Sequence, residues 1–240
     1  MISPRNALIS TALLALCLTG CNPAVTTEDD KPATPTASAA DAAAPGAPAG
    51  GSGTTLSDAV ALLPVGEESR TGYERNSFRH WIDEDGDGCD TRREVLLSEA
   101  VTKPEQGPRC TLTGGSWVSY YDEVEVTDAK KLDIDHMVPL AEAWDSGASE
   151  WTAERREQYA NDLGSERSLV AVTAKTNRSK SDKDPAQWLP PAASAQCTYA
   201  SDWVATKLRW KLNIDTQEKT ALEKLAGECE DTVVEYELAP

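Results

Sequence analysis

Apolar side chains are distributed along this chain in three ways. From Ala7 through Leu18 they form a nearly unbroken run; from Pro23 to about Thr55 large apolar residues are almost absent; from Leu56 onward they recur with helical and strand periods. The periodic part predicts a short helix over 56–65, with Ser57 as its N-cap, Leu62 and Leu63 facing inward and Pro64 as its stop. Tyr73, Phe78 and Trp81 are expected to form a small aromatic core around Arg75 and Arg79. Between Trp117 and Val126, Trp, Val and Tyr alternate with polar residues after a Gly114-Gly115 turn, the mark of a strand. Ile134 leads a second extended piece into Asp135 and His136, and Pro139 opens a helix over Leu140 and Trp144 that Gly147 ends. A polar helix over 152–162, a buried strand over 169–172 and a helix over 174–180 follow. The tail predicts two amphipathic helices. One gathers Trp203, Val204, Leu208 and Leu212; the other starts with Asp215 and Glu218 in capping-box spacing and buries Leu222, Leu225 and Ala226. Strands and helices so mixed describe an α+β domain.

The unbroken apolar run is an address rather than a fold. Arg5 is the only charge ahead of it, and it is too short to span a bilayer as a stable helix. It ends in Leu18-Thr19-Gly20-Cys21, which resembles the bacterial lipobox; the resemblance implies cleavage before Cys21 and a lipid on its sulfur. Residues 1–21 are therefore expected to be a lipoprotein signal peptide and 22–55 a disordered Ala/Pro/Thr/Gly linker, because a segment with so little to bury cannot offset its ordering entropy. The folded domain is expected over 56–240, with the protein exported and lipid-anchored on the extracytoplasmic face of the cell membrane.

Cysteine usage fits that address. With Cys17 in the signal and Cys21 as anchor, Cys89, Cys110, Cys197 and Cys229 remain, an even number for an oxidising compartment. Three pairings are open; Cys89–Cys110 and Cys197–Cys229 are preferred because each joins neighbouring segments. Zinc is disfavoured, since no C-x-x-C spacing exists and only two histidines are present. Of these, His80 reads as structural, because no ligand spacing surrounds it.

The formal net charge is -17, which weakens long-range attraction for nucleic acid, so any such partner must meet a local basic patch. The 240 residues suit one domain with appendages, a monomer by default, and are too few for the two α/β lobes of a solute-binding lipoprotein.

Within the N-terminal portion, 56–115, the run Asp83-Glu84-Asp85-Gly86-Asp87-Gly88 continues to Glu94 and fits the EF-hand loop pattern D-x-D-x-D-G-x5-E. Asp83, Asp85, Asp87, the Cys89 carbonyl, Thr91 and Glu94 would ligate a structural Ca²⁺. The competing reading is a solvated acidic turn stapled by Cys89, since no clear helix precedes the loop.

Two further segments carry chemistry. Asp133-Ile134-Asp135-His136-Met137-Val138-Pro139-Leu140 contains D-H-x-x-P-L, and the segment from Ser168 to Lys180 ends in N-x-x-K at a helix start. Together they resemble the HNH endonucleases, and most of all a secreted bacterial branch related to the C-terminal domain of GmrSD-type restriction endonucleases. The segments around Trp81-Ile82-Asp83 and Asn177-Arg178-Ser179-Lys180 resemble that branch as well. The resemblance implies a ββα-metal core with inserted and C-terminal helices, and hydrolysis of nucleic-acid phosphodiesters, DNA rather than RNA, to leave a 5′-phosphate. It assigns His136 as general base, an imidazole with an unperturbed pKa near ~6.5 suiting that role. Asp135 and Asn177 would be oxygen ligands of one Mg²⁺ or Mn²⁺, and Arg178, Lys180 and Lys183 would bind phosphate. The family usually has Asn where this chain has Ser168, a residue bracing the loop that bears the catalytic His; Asn161 could serve instead. Asp133 reads either as a group supporting a neighbouring ligand or as a solvated carboxylate, and the latter is preferred because exposed acids are the common case. The alternative function is a calcium-stabilised, catalytically degenerate surface lipoprotein that binds a partner.

Overall fold

The computed structural model describes residues 53–240. The expected signal peptide, the lipid-bearing Cys21 and nearly all of the expected linker lie outside the described residues. Thr54–Thr55 (β1), placed in the linker by composition, pairs antiparallel with Val233–Val234 near the end of the chain. Helix α1, Leu56–Leu62, follows at once. Its N-cap is Thr55 rather than Ser57, the threonine oxygen accepting the Asp58 N–H. Leu63 is buried, whereas Leu62 is exposed, because one turn of helix can send only one of two adjacent leucines inward.

Phe78 is fully buried against Tyr73, Trp144 and Tyr159, but Trp81 leaves this group and packs on the two histidine rings. Helix α2, Thr91–Glu99, emerges directly from the acidic loop, with Asp90 as its cap. Next comes a hairpin of β2, Glu105–Gly107, and β3, Thr111–Thr113. Its turn holds Cys110, which is bonded to Cys89; Cys197 is bonded to Cys229. Both preferred pairings are present. The stretch expected as one strand is a second hairpin, β4 Trp117–Val118 with β5 Glu125–Val126. Glu123, at φ 55°, turns the chain between them.

The centre of the domain is a ribbon. β6, Leu132–His136, is followed by α3, Leu140–Asp145, and α4, Ala153–Ala160, before β7, Leu169–Thr173, returns antiparallel to β6. The register sets Asp135 opposite Val170 and His136 opposite Leu169. Helix α5, Ala174–Lys180, starts where β7 stops, because the Thr173 hydroxyl caps it. The ribbon divides two apolar cores. Leu132, Ile134, Leu169 and Ala171 face α2, Trp117 and Val126, whereas Val170 and Val172 face a larger core under the tail helices. Those are α6, Gln196–Trp210, and α7, Thr216–Glu228, with Val233–Val234 closing the chain as β8.

Asp215 caps α7 as expected, but only half of the capping box forms. Glu218 sends its carboxylate inward to Trp203 and Lys207 instead. Leu222, Leu225 and Ala226 are buried, as are Trp203, Val204, Leu208 and Leu212. No helix among the described residues is long and apolar enough to cross a membrane.

Candidate active site

The end of β6 and the first turns of α5 form one wall of a cleft of about 460 Å³. Asp135, His136 and Asn177 all line it, together with Tyr73, Arg75, Leu140, Arg178 and Asp182. The alternation of a strand would put Asp135 and His136 on opposite faces. They reach one cleft because β6 ends at His136 and the chain turns toward Pro139.

Asp135 is nearly buried, and its Oδ2 atom accepts two hydrogen bonds: from Lys180 Nζ at 2.6 Å and from the Tyr121 hydroxyl at 2.8 Å. Both partners use the same oxygen, so Oδ1 has no protein partner among the described residues. Tyr121 is held as a donor, because burial and then the Asp135 charge push its phenol pKa well up. Lys180, which the sequence offers as a phosphate ligand, is turned inward onto Asp135. It has no exposed surface, and Nζ also donates to the His136 carbonyl at 2.9 Å. Burial lowers the Lys180 pKa while Asp135 opposes that shift. A cation on the apolar side of a short helix is stable only with such partners.

His136 is fixed from three sides. Nε2 lies 2.9 Å from the Ala160 carbonyl, Tyr159 stacks on the ring at 6.2 Å, and Trp81 tilts over it at 5.7 Å. A carbonyl can only accept, so Nε2 carries the proton and Nδ1 keeps its lone pair. Burial pushes the His136 pKa down to about 3, which keeps the imidazole neutral but makes it a weaker base than the unperturbed ring the sequence suggests.

Asp133 is not merely solvated. Its Oδ2 accepts from Asn177 Nδ2 at 3.1 Å. A carboxylate demands the amide nitrogen, so the Asn177 oxygen is turned away from Asp133 and left available. Arg178 is exposed on the cleft; Lys183 lies beyond its lining and donates to the Ser179 carbonyl.

Ser168 and Asn161 do not act through their side chains on His136. The Ser168 hydroxyl donates to Asp162, itself held by Arg209 and Trp210, while its carbonyl accepts the Met137 N–H. The brace next to His136 is thus made by backbone. Asn161 spends its amide elsewhere, donating to Arg79 and Glu157 carbonyls and accepting from Ile82 N and Thr91 Oγ1. That fastens the acidic loop to the end of α4 and holds Trp81 against His136. His80 donates from Nδ1 to the Phe78 carbonyl at 2.9 Å, in a structural position.

In the acidic loop, oxygens of Asp83, Asp85 and Asp87 lie within 4.8 Å of one another, and a second group joins Asp87, Cys89 and Glu94. Gly86 and Gly88 adopt φ 77° and 96°, and their N–H groups turn onto Asp83. Burial, then Asp87, Asp85 and Asp83, raise the Glu94 pKa.

Residues 92–225, more than half of the chain, match the family described as GmrSD restriction endonucleases, C-terminal domain. The chain belongs to that family. It is also 39% identical over 185 residues to an uncharacterized secreted protein of the fungus Arthroderma benhamiae, covering 77% of this chain and 88% of that one. No solved structure matches.

Proposed function

We propose that this domain is a metal-dependent endonuclease of the HNH type, hydrolysing nucleic-acid phosphodiesters, DNA by preference, outside the cytoplasm. One observation carries the reading: Asp135, His136 and Asn177 line a single cleft at the end of an antiparallel strand pair and the helix that follows it. That is the order of elements a ββα-metal core requires.

The donor set fits a hard divalent ion. Asp135 Oδ1 and the Asn177 amide oxygen are both unclaimed by protein partners among the described residues, and neither site offers sulfur. Two oxygens with room for water suit Mg²⁺ or Mn²⁺. When bound, such an ion supplies charge neutralisation at the scissile phosphate. His136 Nδ1 takes a proton from the attacking water, and the Ala160 carbonyl keeps the ring from rotating away. Lys180 and Tyr121 fix Asp135, while Asp133 fixes Asn177.

The test is cleavage of plasmid by a soluble form starting at Thr54. Nicking in Mg²⁺ or Mn²⁺ that stops on chelation and returns on readdition is the expected result. A second reading, a degenerate site on a binding lipoprotein, is favoured by Lys180, whose ammonium already compensates Asp135. Absence of cleavage with every divalent ion would select it.

The acidic loop is proposed to hold a structural Ca²⁺, and Cys21 to carry the lipid that anchors the exported chain. Calcium at a hundredfold excess over its Kd should stabilise the domain by about 2.7 kcal/mol. Thermal melts with and without calcium check this; an unchanged Tm, or a shift that survives Asp85→Asn with Glu94→Gln, would refute it.

A further inference from the structure

We infer that Arg75 is a phosphate-binding residue of the cleft, acting with Arg178 in the place where the sequence suggested Lys180. The identity of the phosphate rests on the nuclease reading above; the charge argument does not.

Four charged residues line the cleft: Asp135, Asp182, Arg75 and Arg178. Both acids are already compensated. Asp135 holds Lys180 at 2.6 Å, and Asp182 pairs with Arg70 at 2.5 Å. Neither arginine has a carboxylate partner among the described residues, although the chain carries 40 acids against 23 bases. Arg79, only four residues on, has found Glu157, and Arg70 has found two acids. Leaving two guanidinium groups unpaired in one concavity, within so acidic a protein, makes a local positive field there. That is what an incoming polyanion needs.

The base of Arg75 is held firmly. It opens a turn of 3₁₀ helix, Arg75–Ser77, closed by Ser77 N to Glu74 O and Phe78 N to Arg75 O. Phe78 anchors that turn in the core, and Arg156 donates to the Ser77 carbonyl. The exposed guanidinium therefore projects from a fixed point on the wall that Tyr73 also forms. A planar fork of donors grips two phosphate oxygens at once, which a lysine cannot do. Arg75 precedes the matched stretch 92–225, so this contact comes from outside the part that identifies the family.

The experiment uses the soluble domain and a short fluorescein-labelled DNA, in duplex and single-stranded form. Binding is followed by anisotropy in EDTA over a salt series, and cleavage separately in Mg²⁺. Arg75→Ala should weaken binding about ten- to hundredfold, the worth of a charge-assisted hydrogen bond, and reduce the slope of log K on log salt by about 0.9. Arg75→Lys should recover part of the affinity, and Arg79→Ala should change neither quantity. Should Arg75→Ala misfold by circular dichroism, Arg75→Gln replaces it. Wild-type binding and slope in the Arg75 variants, or no binding of either DNA by the wild type, overturns the inference. If the wild type never cleaves yet Arg75→Ala loses affinity, the phosphate site stands and the nuclease reading falls; if the wild type cleaves and the variant binds and cuts equally well, the reverse holds.

Discussion

His136→Ala is expected to slow phosphodiester cleavage by about 10²- to 10⁴-fold, the usual worth of a positioned general base, with DNA binding in EDTA almost unchanged. The imidazole is neutral, its tautomer is set by the Ala160 carbonyl, and it shares the cleft with the two oxygen donors. In the proposed mechanism, removing it takes away proton transfer but neither the proposed cation ligands nor the arginines. The loss should therefore fall on kcat and leave KM near the wild-type value. Because the ring is buried between Tyr159 and Trp81, alanine leaves a void beside them. His136→Gln fills more of that space and should be equally slow, which separates chemistry from packing. Single-turnover rates of the purified variants decide the matter. A His136→Ala protein that cuts within a few-fold of wild type would remove His136 from the reaction.

The parts of this site that could be read in the sequence are those set by short-range rules. A Val-rich run ending at Thr173 is a strand passing into a helix, since threonine caps what the run cannot continue. The disulfides join segments close in sequence, and both lie where proximity put them. What escaped notice depends on partners far along the chain. Lys180 belongs to a helix rich in basic residues, and nothing local distinguishes it from Arg178; only Asp135, 45 residues earlier, draws it inside. Asp133 looked like an ordinary surface acid until the ribbon register brought α5 and Asn177 beside it. Arg75 carries no motif at all. Its proposed role rests on the acids it lacks, and an absent partner leaves no mark in the sequence. Ser57 and Thr55 offer equal capping hydroxyls, and the choice of Thr55 follows from the pairing of β1 with β8.

The second large effect is structural, and it is expected at Lys207. This lysine has no exposed surface, and its Nζ lies 2.8 Å from Glu142, 2.9 Å from Glu218, 2.7 Å from Ser146 Oγ and 2.8 Å from the Asn213 carbonyl. Glu68 completes the group, with oxygens of Glu68, Glu142 and Glu218 all within 4.8 Å of one another. Burial works against charging Lys207, but Glu218 and Glu142 more than offset it and hold its pKa well up. Burial, then Glu142, raises Glu68 to about 8; burial, eased by Lys207 and reinforced by Glu142, raises Glu218 to about 7. Asp215 and Asp184 add negative potential nearby.

Lys207→Met should destabilise the domain by about 3–5 kcal/mol at neutral pH, because it strands carboxylates in the interior without their cation. The sign with pH follows from the raised carboxyl values. Their contribution to stability is full below the unfolded pKa near 4.5 and declines as pH rises. It is gone once pH passes the folded values near 7 and 8. Wild-type stability from this cluster therefore falls between about pH 5 and pH 8. The variant, with no ammonium to compensate the charges, should fall more steeply, so the gap between the two narrows in acid as the carboxyls protonate. Glu142 belongs to α3, whose Leu140 and Ala141 line the cleft, so the same substitution should loosen a wall of that cleft. Urea unfolding of both proteins at pH 5 and pH 8 measures the gap directly. A loss under about 1 kcal/mol, or a gap that stays constant between the two pH values, would mean that the lysine is packed there as an apolar stem and that the three carboxylates are satisfied without it.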